Sequence, residues 1–221
     1  MWRDAALVAE RDLRIELRSR VATNQVAPFA LLVLVLFAFA LDPDTGVLEN
    51  ATPGLYWIVV LFSGVLAVSR SGSLDEADGI RDALRLSGME PAGVFLGKTA
   101  AVAAQLLLLE LVLVGAVGVL YSAPLGGFAL LTATGVAAAV AVATTGVLYS
   151  AMVAGLRARD TLLPLLLLPV LAPVLIGATR AFEAALGAEG IHGWEWCGLV
   201  ALFAVVYVVA GCLAYGALLE G

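Results

Sequence analysis

Long apolar runs separated by short polar breaks organise this chain. Runs at about 24–41, 55–69, 97–120, 128–154, 162–179 and 197–219 approach the roughly 20 residues that cross a bilayer core as helix, so the pattern predicts six spans. The run at 55–69 is the shortest. Pro53-Gly54 and an interfacial Tyr56-Trp57 pair mark its start, and the run is expected either to borrow residues 51–54 or to lie tilted. The run at 162–179 contains Pro164, Pro169 and Pro173, each of which removes a backbone donor. A kinked or broken helix is expected there, with neighbouring helices satisfying the freed carbonyls.

Residues 1–20 follow another rule. Trp2, Ala6, Ala9, Leu13 and Leu17 recur at spacings of three and four, with Arg3, Arg11, Arg14, Arg18, Arg20 and four acids between them. An apolar stripe with a charged opposite face predicts an amphipathic helix lying in the membrane interface rather than crossing it.

Composition agrees with the pattern. Of 221 residues 62% are hydrophobic and 14% charged, with a mean hydropathy of +1.02, against roughly 25% charge in soluble domains. Six spans use about 120 residues and leave too little in any connection for a nucleotide-binding or other globular domain, which needs at least about 50. The chain therefore reads as one membrane domain, 1–221, with a six-span bundle over 24–219. Its net charge of −6 argues against nucleic acid as a partner.

The distribution of charge sets the orientation. The N-terminal segment and the segments 70–98 and 155–161 hold eleven of the twelve Lys and Arg residues. The positive-inside rule places these segments, and with six spans both termini, in the cytoplasm.

One connection stands apart: residues 70–96 are long and charged. Leu74, Ile80 and Leu84 fall at near-helical spacing among Asp75, Glu76, Asp78 and Asp82, and Gly88 and Pro91 close the segment. This predicts a short amphipathic cytoplasmic helix between spans two and three. Its acidity suits docking on a protein better than on anionic lipid, the alternative being a solvated connector. The nearby Gly97-Lys98-Thr99 lacks the glycine at 92 and the preceding strand of a phosphate-binding loop, and Lys98 is expected to anchor a span end.

Other polar residues point to no catalysis. Glu110, inside the third run, is costly in a membrane and is by default functional, either as an interhelical bond or in conformational coupling. The single His192 cannot supply a metal cluster or a two-histidine haem site, and packs at the interface beside Trp194 and Trp196. Cys197 and Cys212 read as small apolar residues. No Ser-His-Asp set, HExxH or paired-acid motif occurs, so the chain is read as a non-enzymatic subunit.

The segments RDLRIELRSR (11–20), PGLYW (53–57), DGIRDAL (78–84) ahead of LGK (96–98), and above all LPLLLLPVLAPVLIGAT (163–179) together resemble the CcmB family. These are membrane subunits of the cytochrome c maturation transporter within the ABC-2 permease class. The sequence departs from the pattern at Arg81, usually apolar, and at Arg70-Ser71, where an aromatic residue is common. The resemblance implies two copies of this subunit on two copies of a cytoplasmic ATPase that binds ATP and Mg, with a haem-handling membrane subunit and a small single-span subunit. It also implies an inner-membrane location, no cofactor held by this chain, and release of a haem-loaded chaperone on the outer side. Residues 70–91 would then be the ATPase-coupling lever, with Leu74, Asp75, Asp78, Gly79, Asp82 and Leu84 on its docking face. Competing readings are an ABC-2 exporter of a drug, lipid or glycan, and a non-transporting scaffold subunit.

Overall fold

The computed structural model describes residues 1–19, 26–41, 47–77, 88–120, 127–154, 156 and 158–220. Among them the chain forms seven helices and no strand: α1 (Trp2–Ser19), α2 (Ala27–Ala40), α3 (Val47–Ala77), α4 (Pro91–Leu120), α5 (Phe128–Met152), α6 (Arg159–Ala185) and α7 (Gly193–Glu220). Five of them, α3 to α7, are long and apolar enough to cross a membrane, and the protein is a multi-pass membrane protein. The sixth expected span is different. As described, α2 has 14 residues, about 21 Å at 1.5 Å per residue, shorter than a bilayer core. Pro28 sits in its first turn and Leu41 closes it in extended backbone.

Helix lengths depart from the hydropathy pattern at charged and proline positions. Pro53, read as marking the start of a span, lies inside α3, whose apolar window runs over Asn50–Gly72, so the short run does take in residues 51–54. Within the segment 70–96, expected to hold a short separate helix, residues 70–77 instead continue α3, and α4 starts at Pro91, a first-turn position where the missing N–H costs nothing. Gly88, at φ 68°, takes the left-handed conformation that glycine allows.

Helix α6 runs through Pro164, Pro169 and Pro173 as a single helix, so of the two outcomes expected at these prolines, a kink or a break, the break does not occur. Its buried stripe is Leu163, Leu167, Leu171, Val174 and Ala178, each at most 1% exposed, and the prolines fall off that stripe. The lost hydrogen bonds thus lie away from the face that packs, and leucine packing holds the helix together.

The bundle is centred on α5, which packs against α3, α4, α6 and α7. Its buried face is built from small residues: Thr134, Gly135, Ala138, Ala139, Ala141, Ala143, Thr144, Thr145 and Gly146. In lipid there is little hydrophobic gain from bringing helices together, so close backbone approach and dispersion must do it. A Cβ at Gly146 would fall 2.3 Å from Val68 Cγ2, and one at Gly64 2.7 Å from Val142 Cγ1. Thr144 and Thr145 donate to the carbonyls of Val140 and Ala141, each at 2.7 Å, which disposes of their hydroxyls inside the bundle.

Opposite helix ends gather different chemistry. Arg70 of α3, Lys98 of α4 and Arg159 of α6 meet at one end, hereafter the basic end, where α1 lies across α4. At the other end Gly127 N–H donates to Ala185 O at 3.1 Å, stitching the start of α5 to the end of α6.

Candidate functional site at the basic helix ends

Two glycines make room for α1. Gly93 and Gly97 are four residues apart on one face of α4. A Cβ at Gly97 would sit 2.6 Å from Ala5 O and 2.7 Å from Val8 Cβ, and one at Gly93 2.8 Å from Met1 O. The small-xxx-small spacing lets two backbones touch, and Ala5 and Val8 are buried in the contact.

Charged links then fasten α1 at three points. Lys98 Nζ stands 3.5 Å from Asp12 Oδ2, and Arg70 Nε 3.2 Å from Glu16 Oε2. At the helix start the Met1 ammonium pairs with Glu90 Oε2 at 2.9 Å, and Glu90 N–H donates to Asp4 Oδ2 at 3.3 Å. The Glu90 N–H, with the Met1 ammonium behind it, holds the Asp4 carboxyl below its usual range, while the Glu90 and Asp4 carboxylates raise the Met1 amine. Lys98, expected as a span-end anchor, is instead 3% exposed beneath α1.

The end of α3 is gripped from its other side as well. Arg159, buried at the start of α6, donates through Nη2 to Ser69 O and to Ser150 Oγ, both at 3.2 Å. Gly72 accommodates that guanidinium: a Cβ there would lie 1.8 Å from Arg159 Nη2. Together, α1 and α6 fix the helices on both flanks of residues 78–87. Asp78, Gly79, Asp82 and Leu84 lie outside the described residues. Leu74 and Asp75 fall in the last turns of α3 rather than on a separate helix.

A second cluster occupies the interior. Glu110 lies 12 residues beyond Lys98, about 18 Å along α4, and is 5% exposed. Its Oε2 fills the space opposite Gly135, where a Cβ would stand 2.6 Å away, and its Oε1 has no hydrogen-bond partner, as is also true of the buried Thr134 Oγ1 and Trp57 Nε1. Tyr56 Oη donates to Glu110 O at 3.5 Å. Tyr56 stacks on Phe182 at 4.7 Å between centroids, and Trp57 meets both rings edge-on. The Tyr56-Trp57 pair, expected near a span end, is packed inside the bundle, each residue 2% exposed, because α6 brings a third ring against it.

Sequence reasoning missed the Gly93/Gly97 seat, Glu16–Arg70 and Arg159. The glycine spacing was a readable signal, whereas the Glu16–Arg70 ion pair and the Arg159–Ser69 hydrogen bond join residues 54 and 90 positions apart and leave no local trace. Among the described residues no group of three or more His, Cys, Asp or Glu side chains could hold a metal ion. Cys197 and Cys212 are free thiols.

The sequence profile of the CcmB protein family matches residues 3–220. Heme exporter protein B of Paracoccus denitrificans is 33% identical over 182 residues, covering 81% of this chain and 83% of its own length. The protein of that name from Haemophilus influenzae is 31% identical over 80% of each chain. The one from Bradyrhizobium diazoefficiens is 29% identical over 96% of this chain and 95% of its own.

Proposed function

The chain belongs to the CcmB protein family, and from that premise we propose that it is the membrane permease subunit of an ABC transporter for cytochrome c maturation. In this reading a separate cytoplasmic ATPase binds ATP and Mg, and this subunit converts its closure into haem handling, with release of a haem-loaded chaperone on the outer side. The carrying observation is the match to the family over residues 3–220. The Heme exporter protein B relatives supply the transported class.

The helix ends supply a route for force. In chain order residues 78–87 stand between α3 and α4, whose neighbouring ends lie at the basic end, and that end faces the cytoplasm by the positive-inside rule. The ATPase presses there, and a push on Asp78, Gly79, Asp82 or Leu84 reaches α3 and α4 directly. Arg159 carries it to α6, whose Pro164, Pro169 and Pro173 give the helix places to bend. The whole chain acts as one permease domain in the inner membrane with both termini cytoplasmic, paired with a second copy, a haem-handling membrane subunit and a small single-span subunit. Haem and ATP are held by its partners.

Co-purification from native membranes with partner identification and a haem spectrum tests the assembly. Gly79→Trp and the charge reversal of Asp78 and Asp82 should leave insertion intact, uncouple ATP hydrolysis and abolish cytochrome c assembly. Normal cytochrome c assembly in these variants would sink the coupling role. Substrate-stimulated ATPase without a cytochrome phenotype would instead assign an exporter of another substrate, and purification with no ATPase a scaffold.

A further inference from the structure

Counted along the sequence, the charges of α1 nearly cancel; in space they separate. The acids Asp4, Asp12 and Glu16 turn inward, onto Met1 and Glu90 N–H, Lys98 and Arg70. Arg3, Arg14 and Arg18 are exposed. Arg11 turns aside to Asp12 at 2.6 Å, and the one outward acid, Glu10, pairs with Arg14.

The outward arc is itself divided. At 100° per residue, Trp2, Ala6 and Leu17 lie on one flank of it and Arg3, Arg14 and Arg18 on the other. Trp2 is 75% and Leu17 72% exposed, so the two ends of the apolar stripe do not serve the fold, while Ala9 and Leu13 between them are half-buried. Along the basic flank a groove of about 370 Å³ is lined by Leu7, Glu10, Arg11, Arg14, Ile15 and Arg18, its one carboxylate paired with Arg14. The height is also set: α1 is seated on Gly93, Gly97 and Arg70, at the ends of the apolar windows Pro91–Val119 and Asn50–Gly72.

We propose that the outward face of α1 is a binding surface for anionic phospholipid headgroups. The apolar flank enters the acyl region with Trp2 and Leu17, and the arginines of the basic flank meet phosphates at the level where the spans end. Charge complementarity acts here at a fixed depth: inward contacts take up Asp4, Asp12 and Glu16, the acids that would repel the lipid. Lipid bound here steadies the helix that ties α3 to α4.

The test uses the full-length protein purified in neutral detergent, with dioleoylphosphatidylglycerol and dioleoylphosphatidylcholine as probes. Phosphatidylglycerol should be retained in native mass spectra and raise the apparent melting temperature, and phosphatidylcholine should do neither. The triple variant Arg3→Gln, Arg14→Gln, Arg18→Gln should lose phosphatidylglycerol affinity on the order of 100-fold, from three cations near a charged surface, with an unchanged gel-filtration profile. Independently, a nitroxide at Leu17→Cys in a Cys197→Ala, Cys212→Ala background, reconstituted in phosphatidylglycerol bilayers, should be accessible to oxygen and shielded from aqueous nickel. Equal response to the two lipids, a triple variant that keeps its preference, or a water-exposed nitroxide would each overturn the proposal, the last assigning the face to a soluble partner.

Discussion

Lys98 of α4 and Asp12 of α1 form an ion pair at 3.5 Å whose lysine side chain is 4% exposed. Its two members are not equivalent. Asp12 also accepts from Arg11 at 2.8 and 2.6 Å, so removing the lysine leaves the carboxylate with another cation, whereas removing the carboxylate takes a charged acceptor from two cations at once, one of them buried. Asp12→Asn should therefore cost about 2 kcal/mol and Lys98→Met about 1 kcal/mol, the larger figure reflecting the loss of charge-assisted hydrogen bonds to both cations. Melting of the two purified variants side by side checks the order; a more damaging lysine substitution would contradict it.

Gly97 is the seat of α1. Valine there places a methyl-bearing carbon where Ala5 O and Val8 already stand, an overpacking cost of about 1–3 kcal/mol. The strain is relieved most cheaply by lifting α1, so Gly97→Val should expose Arg11 and Arg14 to trypsin in an otherwise intact bundle. Digestion unchanged from wild type would show that α1 is held by its charges alone.

Glu110 is buried with one oxygen unpartnered, and no ion pair to it occurs among the described residues. Gln has the same shape and fills the same space beside Gly135, so Glu110→Gln should change stability by less than about 1 kcal/mol or raise it, since burying an uncompensated acid in apolar surroundings is costly. Gly135→Leu should be severe, because the carboxyl group stands where the new Cβ must go. Melting temperatures separate these outcomes. If Glu110→Gln alone abolishes transport while stability holds, the acid acts in coupling rather than packing.

The amino end of α1 should dock in a pH window. Asp4 is held below its usual 3.8, so its contribution is full above about 3.8 and is lost as pH falls through the lowered value. The Met1 amine is raised above its usual 8.0, so its contribution is full below about 8.0 and is lost as pH rises through the raised value. Amide-exchange protection of residues 2–8, corrected for intrinsic rates, should be greatest between these limits. Asp4→Asn should abolish the acid limb.

Hydropathy made α4, α5, α6 and α7 legible because an apolar run of span length has one stable fate in lipid. It failed where charge and apolarity mix. Residues 70–77 read as loop by their polarity, yet helix α3 carries them onward because Glu16 and Arg159 hold its end. The stripe Trp2–Ala6–Leu17 correctly predicted α1 as a helix, but suggests the wrong docking face to a reader used to soluble proteins. There the apolar stripe packs inward; here Ala5, Val8, Asp12 and Glu16 pack inward and the stripe is left outside. The Glu110 cluster was half readable. A lone acid in an apolar run is conspicuous, but that Gly135, 25 residues on, makes room for it depends on helix register that sequence does not display.

The seating of α1 on Gly93 and Gly97 also orders events during biosynthesis. The helix made first has no docking surface until α4 has left the ribosome, about 80 residues later, a delay on the order of 4–16 s at 5–20 residues per second. Until then it is an amphipathic segment at the membrane surface, and its capture marks the moment when the first half of the bundle is complete. Nascent chains arrested before residue 93 should leave Arg11 and Arg14 open to protease, and chains arrested after the whole of α4 has emerged should protect them.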